Sequence, residues 1–148
     1  RRTALLAALV FVTALSGALV AGLRAGLAYN TFPLMDGRLI PEHYFAHGPT
    51  LANLFENVAA VQFNHRVLAT AAAAAALLFG LNVRRTPSGS RLRLAVAAVS
   101  LVGVLQYTLG IATLLAHVPV PLGVAHQGMA VLLLTAVLWA ALAAKPEV

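Results

Sequence analysis

Residues 122–144 read LGVAHQGMAVLLLTAVLWAALAA, a stretch with no carboxylate, lysine or arginine along it. It reaches the ~20 apolar residues that an α-helix needs to cross the hydrocarbon core of a bilayer. Residues 3–23 do the same, and so do residues 94–116, which are interrupted mainly by Gln106. A fourth run, residues 57–83, is polar in its first third and apolar beyond it. Hydrophobic residues make up 61% of the chain and charged residues 9%, against about a quarter charged in a soluble domain. The direct reading is an all-α transmembrane protein. It is a single four-helix antiparallel bundle with spans at about 3–26, 56–83, 92–116 and 122–144 and an outer loop over 29–55.

The formal net charge of +6 does not point to nucleic acid, because of where the charge lies. Arg1, Arg2, Arg84, Arg85, Arg91, Arg93 and Lys145 all flank spans. Four helices put the N-terminus, the 84–93 connection and the C-terminus on one side, which the positive-inside rule makes cytoplasmic. The 29–55 connection and the short 117–121 turn then face outward. The chain has no cysteine, so it holds no disulfide, thiolate metal site or iron–sulfur cluster. It begins Arg-Arg almost directly on a span that is longer than the ~7–15-residue core of a signal peptide. The chain therefore reads as a fragment that starts in a cytoplasmic linker.

Helix one is expected from about Thr3 to Gly26, ending in Gly22-Leu23-Arg24-Ala25-Gly26, a small-xxx-small pattern suited to helix packing. The stretch Tyr29-Asn30-Thr31-Phe32-Pro33-Leu34-Met35-Asp36-Gly37 is rich in turn residues, and Ile40-Pro41-Glu42 is a second breaker. Tyr44 and Phe45 suit an interfacial belt. The connection is long enough to cap the outer end of the bundle, and loops beyond ~12–15 residues are often functional. Helix two is expected to open near Asn53, with Asn53 as its cap and Glu56 favouring its N-terminal dipole. Residues 86–90 read as a flexible turn, and helix four is expected to start at Leu122 after Pro119 and Pro121.

Two histidines sit inside the apolar runs: His65, in Gln62-Phe63-Asn64-His65-Arg66, and His126, in Ala125-His126-Gln127. Counted from Glu56 and Pro121 they lie roughly 13 Å and 7 Å down their helices, equal within the error of helix ends. Intramembrane ionisable residues are expensive and mark functional sites. Two readings stay open: each histidine is satisfied separately by a neighbouring helix, or the two share a ligand. A shared zinc ion usually wants a third protein ligand, and no Cys or carboxylate accompanies the pair. A haem needs only two axial imidazoles, an apolar slot and cations for its propionates. Arg66 and Arg24 are the candidate cations, with snorkelling to the headgroups as the plain alternative for each. Bis-histidine iron has no open position, which suits electron transfer. His117 reads as interfacial, and His43 and His47 as solvated. Gln62 and Gln106 are expected to make interhelical hydrogen bonds, and Gln62 could equally touch the ligand.

The series Gly22-Leu23-Arg24-Ala25-Gly26, Asn30-Thr31-Phe32-Pro33-Leu34-Met35-Asp36-Gly37, Asn53-Leu54-Phe55-Glu56-Asn57, Gln62-Phe63-Asn64-His65-Arg66 and His126-Gln127 resembles the C-terminal half of the haem A synthase family, of the proteobacterial and mitochondrial type. The resemblance covers nearly the whole chain with the motifs in order. It implies a pseudo-symmetric eight-helix membrane protein of two similar four-helix halves. That protein oxidises a ring methyl of haem O to the formyl of haem A for cytochrome c oxidase biogenesis. It further implies that His65 and His126 are axial ligands of a haem b. The family's N-terminal half carries a glutamate three residues before its first histidine, associated with catalysis on haem O; here that position is Gln62, which cannot ionise. No catalytic residue is therefore expected in this half, only cofactor binding by His65, His126, Arg66, Arg24 and Gln62.

The partners implied are the lipid bilayer, the N-terminal half of the same protein, haem O synthase and cytochrome c oxidase assembly factors. The location implied is the bacterial inner membrane. Two other functions compete. One is a free-standing bis-histidine membrane cytochrome that transfers electrons without modifying haem; the other is a small transporter or scaffold with structural histidines. If the natural protein has only four helices, a homo-oligomer would restore eight. Native electrophoresis then gives a dimer band; a single monomer band at full haem occupancy would count against that dimer.

Overall fold

The computed structural model describes residues 2–84 and 89–144. Arg1, Arg85, Lys145, the Arg84 side chain and most of the 86–90 turn lie outside the described residues. The elements in order are α1 (Arg2–Gly22), a 3-10 turn (Ala25–Leu27), the short α2 (Leu51–Phe55), α3 (Val58–Arg84), α4 (Ser90–Leu115) and α5 (Val120–Ala143). All but α2 and the 3-10 turn are long and apolar enough to cross a membrane. A span must satisfy its backbone N–H and C=O groups internally, which a helix does within its own segment. Among the described residues the extended pairing is a lone bridge between Met35 and Arg38 in the long loop.

The long helices form a closed ring. α1 packs beside α3, α3 beside α4, α4 beside α5, and α5 returns against α1. Successive spans run antiparallel, so α3 and α5 are parallel to each other across the diagonal. One end of this multi-pass membrane bundle carries the chain ends and the α3–α4 connection (the termini end). The other carries the 28–50 loop and the α4–α5 turn (the loop end).

Packing differs sharply between the two ends. The buried cluster of Leu6, Val10, Ala76, Ala95, Val96, Val99, Leu133, Ala136, Val137 and Ala140 lies in the termini half. Small residues let the helices close there. A methyl added at Gly103 would lie 3.1 Å from Ala76 Cβ, and the Ser100 hydroxyl, which donates to Ala76 O, already fills the space beside Gly80. Toward the loop end, residues 11–22, 63–71, 104–112 and 120–132 include no buried residue on any of the four helices.

Several local expectations are corrected. Helix one stops at Gly22, not Gly26, because Arg24 turns left-handed at φ 52°. The two glycines of its small-xxx-small pattern consequently do not share a face. Gly26 lies in the 3-10 turn against Val118, whereas a methyl at Gly22 would meet nothing. Asn53 does not cap the second span. Thr50 caps the separate α2, and Asn57 caps α3, its Oδ1 accepting from Ala59 N at 2.9 Å and Ala60 N at 3.4 Å. Glu56 is an exposed residue closing α2. α5 begins at Val120 with Pro121 inside its first turn, where the missing N–H costs nothing.

The loop is knitted onto the bundle by amides. Asn30 Nδ2 donates to Gly26 O at 2.7 Å and to Leu114 O at 2.9 Å, joining the 3-10 turn after α1 to the end of α4. Asn57 Nδ2 donates to His43 O, Tyr44 O and Asn53 Oδ1, while Asn53 Nδ2 donates to Tyr44 O. Tyr44 is not simply a belt residue. Its hydroxyl donates to Asn64 Oδ1 at 2.9 Å and its ring meets Phe63 edge-on.

Asn57 thus serves as helix cap and loop anchor together, and both of its roles end with the amide. Asn57→Ala is expected to cost roughly 1–2 kcal/mol, about 1 from the cap and the rest from the lost bonds to the loop, whose His43 and Tyr44 carbonyls keep Ala46 N and Asn53 Nδ2 as donors. A lowered melting temperature in detergent, with faster protease cleavage within residues 28–50, is the readout.

Candidate functional site

His65 lies on α3 and His126 on α5, the two parallel helices on opposite corners of the ring. Measured from Val58 and Val120 they are roughly 11 Å and 9 Å from the loop ends of their helices, so their depths match closely. Both fall in the section where no helix buries a residue, and both rings are partly covered.

Each imidazole rests against a glycine of the preceding span. A methyl at Gly17 of α1 would lie 3.1 Å from His65 Cε1, and one at Gly110 of α4 would lie 2.8 Å from His126 Cε1. Both glycines are about 8 Å before the loop end of their helices. The two hairpins therefore repeat one device, in which a glycine on the rising helix admits the imidazole of the descending one. Glycine weakens a helix interior by about 1 kcal/mol relative to alanine, so its use here serves the close approach.

Hydrogen bonding separates the two rings. His65 Nδ1 lies 2.8 Å from Ser16 Oγ. His126 Nε2 is 3.5 Å from Gln106 Nε2, a long contact, and His126 Nδ1 is buried with no partner. Gln106 Oε1 is likewise buried and unpartnered. Gln106 thus reaches across helices as expected, but toward His126.

One turn before His65 and immediately after it on α3, side chains bond to the loop backbone. Gln62 is buried, donates from Nε2 to Tyr29 O at 3.0 Å, and leaves Oε1 without a partner. Arg66 donates from NH2 to the same Tyr29 carbonyl at 2.7 Å and from NH1 to Thr31 O at 2.8 Å, while its Nε is buried and unpartnered. Gln62 is therefore bonded to the loop, not to another helix. Arg24 is exposed at the end of α1 and apart from this cluster of bonds. His43, His47 and His117 are exposed, the last in a left-handed turn at φ 61°.

Among the described residues, no group of three or more His, Cys, Asp or Glu side chains could hold a bare metal ion. Two shallow concavities of about 300 Å³ and 160 Å³ lie at the termini end. They are lined by Phe79, Val83 and Leu92 and by Gly80, Val96 and Ser100, away from both histidines. Ser16, Gly17, Gly110 and the Tyr29 carbonyl are the components that sequence reading missed. An interior Ser-Gly in α1 and an interior glycine toward the loop end of α4 were the available signals, since conformationally costly glycines in apolar helices call for a packing reason.

The family model described as Cytochrome oxidase assembly protein (COX15-CtaA) matches residues 1–138. The "Heme A synthase" of Granulibacter bethesdensis is 55% identical over 137 residues, covering 92% of this chain and 35% of the relative. That of Nitrosospira multiformis is 50% identical over 135 residues, covering 91% and 38%. "Heme A synthase COX15" of Homo sapiens is 48% identical over 134 residues, covering 90% and 32%. The chain thus spans about a third of the length of the curated relatives it matches. No solved structure matches it significantly. A match across nearly every residue of the bundle, histidine helices included, means that the chain belongs to the COX15-CtaA family of cytochrome oxidase assembly proteins.

Proposed function

We propose that this chain is the C-terminal, haem b-binding half of a haem A synthase, an eight-helix oxidoreductase that converts the ring methyl of haem O to the formyl of haem A. In this reading His65 and His126 are the axial ligands, and the chain moves electrons for an oxidation carried out in the other half. The observation that carries it is the pair itself: two imidazoles at matched depth on diagonal helices, each backed by a glycine, in the section without buried residues.

The donor set suits a haem. Two imidazoles satisfy its iron with no third protein ligand. The glycines at positions 17 and 110 let the two rings lie close against α1 and α4. Bound there, haem b supplies a one-electron iron couple. Arg66, with its free Nε, and Arg24, exposed on α1, are the cations for the propionates. Gln62 holds the loop over the α3 end of the site through Tyr29 O. The unionisable amide at position 62 keeps proton chemistry on haem O out of this half. It also favours a second reading, a free-standing bis-histidine cytochrome. A preceding segment with four more spans and a Glu-x-x-His motif decides for the synthase.

The further partners follow from the same reading: the N-terminal half, haem O synthase, oxidase assembly factors, and a homo-oligomer if the chain stands alone. The location is the bacterial inner membrane. The arginine-flanked termini end then faces the cytoplasm.

The purified chain should give a b-type pyridine haemochrome. His126→Ala should abolish or shift its Soret band, a loss beyond the roughly 10–100-fold that outer-shell changes cost in metal affinity. A wild-type chain without a Soret band, or a variant with an unaltered one, would sink the proposal. Gly110→Leu should likewise expel the His126 ring and lose haem, whereas Gly22→Leu, where a Cβ meets nothing, should retain it; haem-to-protein absorbance ratios report both.

A further inference from the structure

Ser16 has one hydroxyl proton, and two acceptors compete for it: the Thr13 carbonyl at 2.7 Å and His65 Nδ1 at 2.8 Å. A helical serine whose Oγ turns back to the preceding turn gives its proton to that carbonyl. Toward His65 the oxygen then offers only lone pairs, so the contact requires the ring to donate, Nδ1–H to Oγ. With the proton on Nδ1, the free lone pair is on Nε2. Nε2 makes no hydrogen bond among the described residues.

We propose that Ser16 is a positioning residue that locks His65 in its Nδ1–H tautomer and so presents Nε2 as the ligand to haem iron. The second half of this statement rests on the haem reading above. Metal-ligating histidines characteristically donate their other ring N–H to an oxygen, which fixes the ring and raises its basicity. Ser16 and Gly17 act as a unit, the glycine admitting the ring and the serine orienting it.

The second hairpin supplies an internal comparison. The residue before Gly110 is Leu109, which has no hydroxyl, and His126 Nδ1 is correspondingly buried without a partner. The tautomer lock therefore acts on one ligand of the pair, and the two histidines are chemically inequivalent.

The direct test is the tautomer of His65 in the haem-free chain. It is read by long-range proton–nitrogen correlation on ¹⁵N-histidine-labelled protein in micelles, at a pH where imidazole is neutral. The signal is assigned by its loss in His65→Gln. Wild type should show Nδ1–H. Ser16→Ala should revert toward the Nε2–H form that neutral imidazole prefers in water, and Ser16→Thr should keep Nδ1–H. Nε2–H in wild type, or no change in Ser16→Ala, would overturn the proposal. In the haem-loaded chain, Ser16→Ala should retain haem about 10-fold less tightly. Its midpoint potential should be higher, because a less basic imidazole stabilises Fe(III) less, and Ser16→Thr should restore both properties. Unchanged retention and potential would also count against it. Alanine is the best helix former, so α1 stays folded, as helical circular dichroism should verify. A wild-type chain that takes up no haem refutes the haem reading instead, and the tautomer measurement still decides the role of Ser16.

Discussion

A polar side chain in the hydrocarbon core has no water to turn to, so the polar groups of this bundle depend on partners within the protein. At the termini half the problem is largely avoided, since the buried cluster there is made of apolar residues such as Ala95, Val99 and Val137, with Ser100 satisfied by Ala76 O. At the loop half it is met by an unusual supplier, the backbone of the long connection. The Tyr29 carbonyl takes protons from both Gln62 and Arg66, the Thr31 carbonyl from Arg66, and those of His43 and Tyr44 from Asn57. The Tyr29 and Thr31 carbonyls face α3, which carries the donors to meet them. The fold at this end is therefore one structure of loop and helix, with neither satisfied without the other.

This explains which features were legible in the sequence. Four spans could be read because a membrane helix is specified by length and apolarity, both one-dimensional properties of runs such as 122–144. The histidines could be read because they interrupt those runs. The end of α1 was misread because Arg24 takes a left-handed conformation that a pattern of small residues does not announce. Asn53 and Asn57 are both plausible caps by residue type. Only the break between α2 and α3 assigns the second to α3. The partners of His65 and His126 were beyond reach for a different reason. Ser16 and Gly17 lie far from His65 in sequence, and an interior glycine marks a close approach without naming the side chain that makes it.

The two hairpins share a frame and differ in detail. In both, a glycine about 8 Å from the helix end on the rising span faces an imidazole about 10 Å into the descending one. Matching placements on both sides of a ring of helices bring the histidines to one level across the diagonal. Around this common frame the hydrogen bonding diverges. One ring is held by a hydroxyl at 2.8 Å, and the other has only a glutamine nitrogen at 3.5 Å. A buried unpartnered imidazole nitrogen costs roughly 1–3 kcal/mol, so the α5 side of the site is less firmly preorganised than the α3 side.

Position 62 shows how the loop constrains the chemistry available to this bundle. The side chain is buried, and its amide N–H faces a carbonyl oxygen at 3.0 Å. A carboxylate in that place would set a negative charge against the Tyr29 oxygen, with no hydrogen to offer unless protonated. Glutamine meets the need without a charge, and Arg66 shares the same carbonyl from one turn further along. The side chain at position 62 is thus one that fastens the loop, and it does so as a neutral amide beside the Arg66 guanidinium.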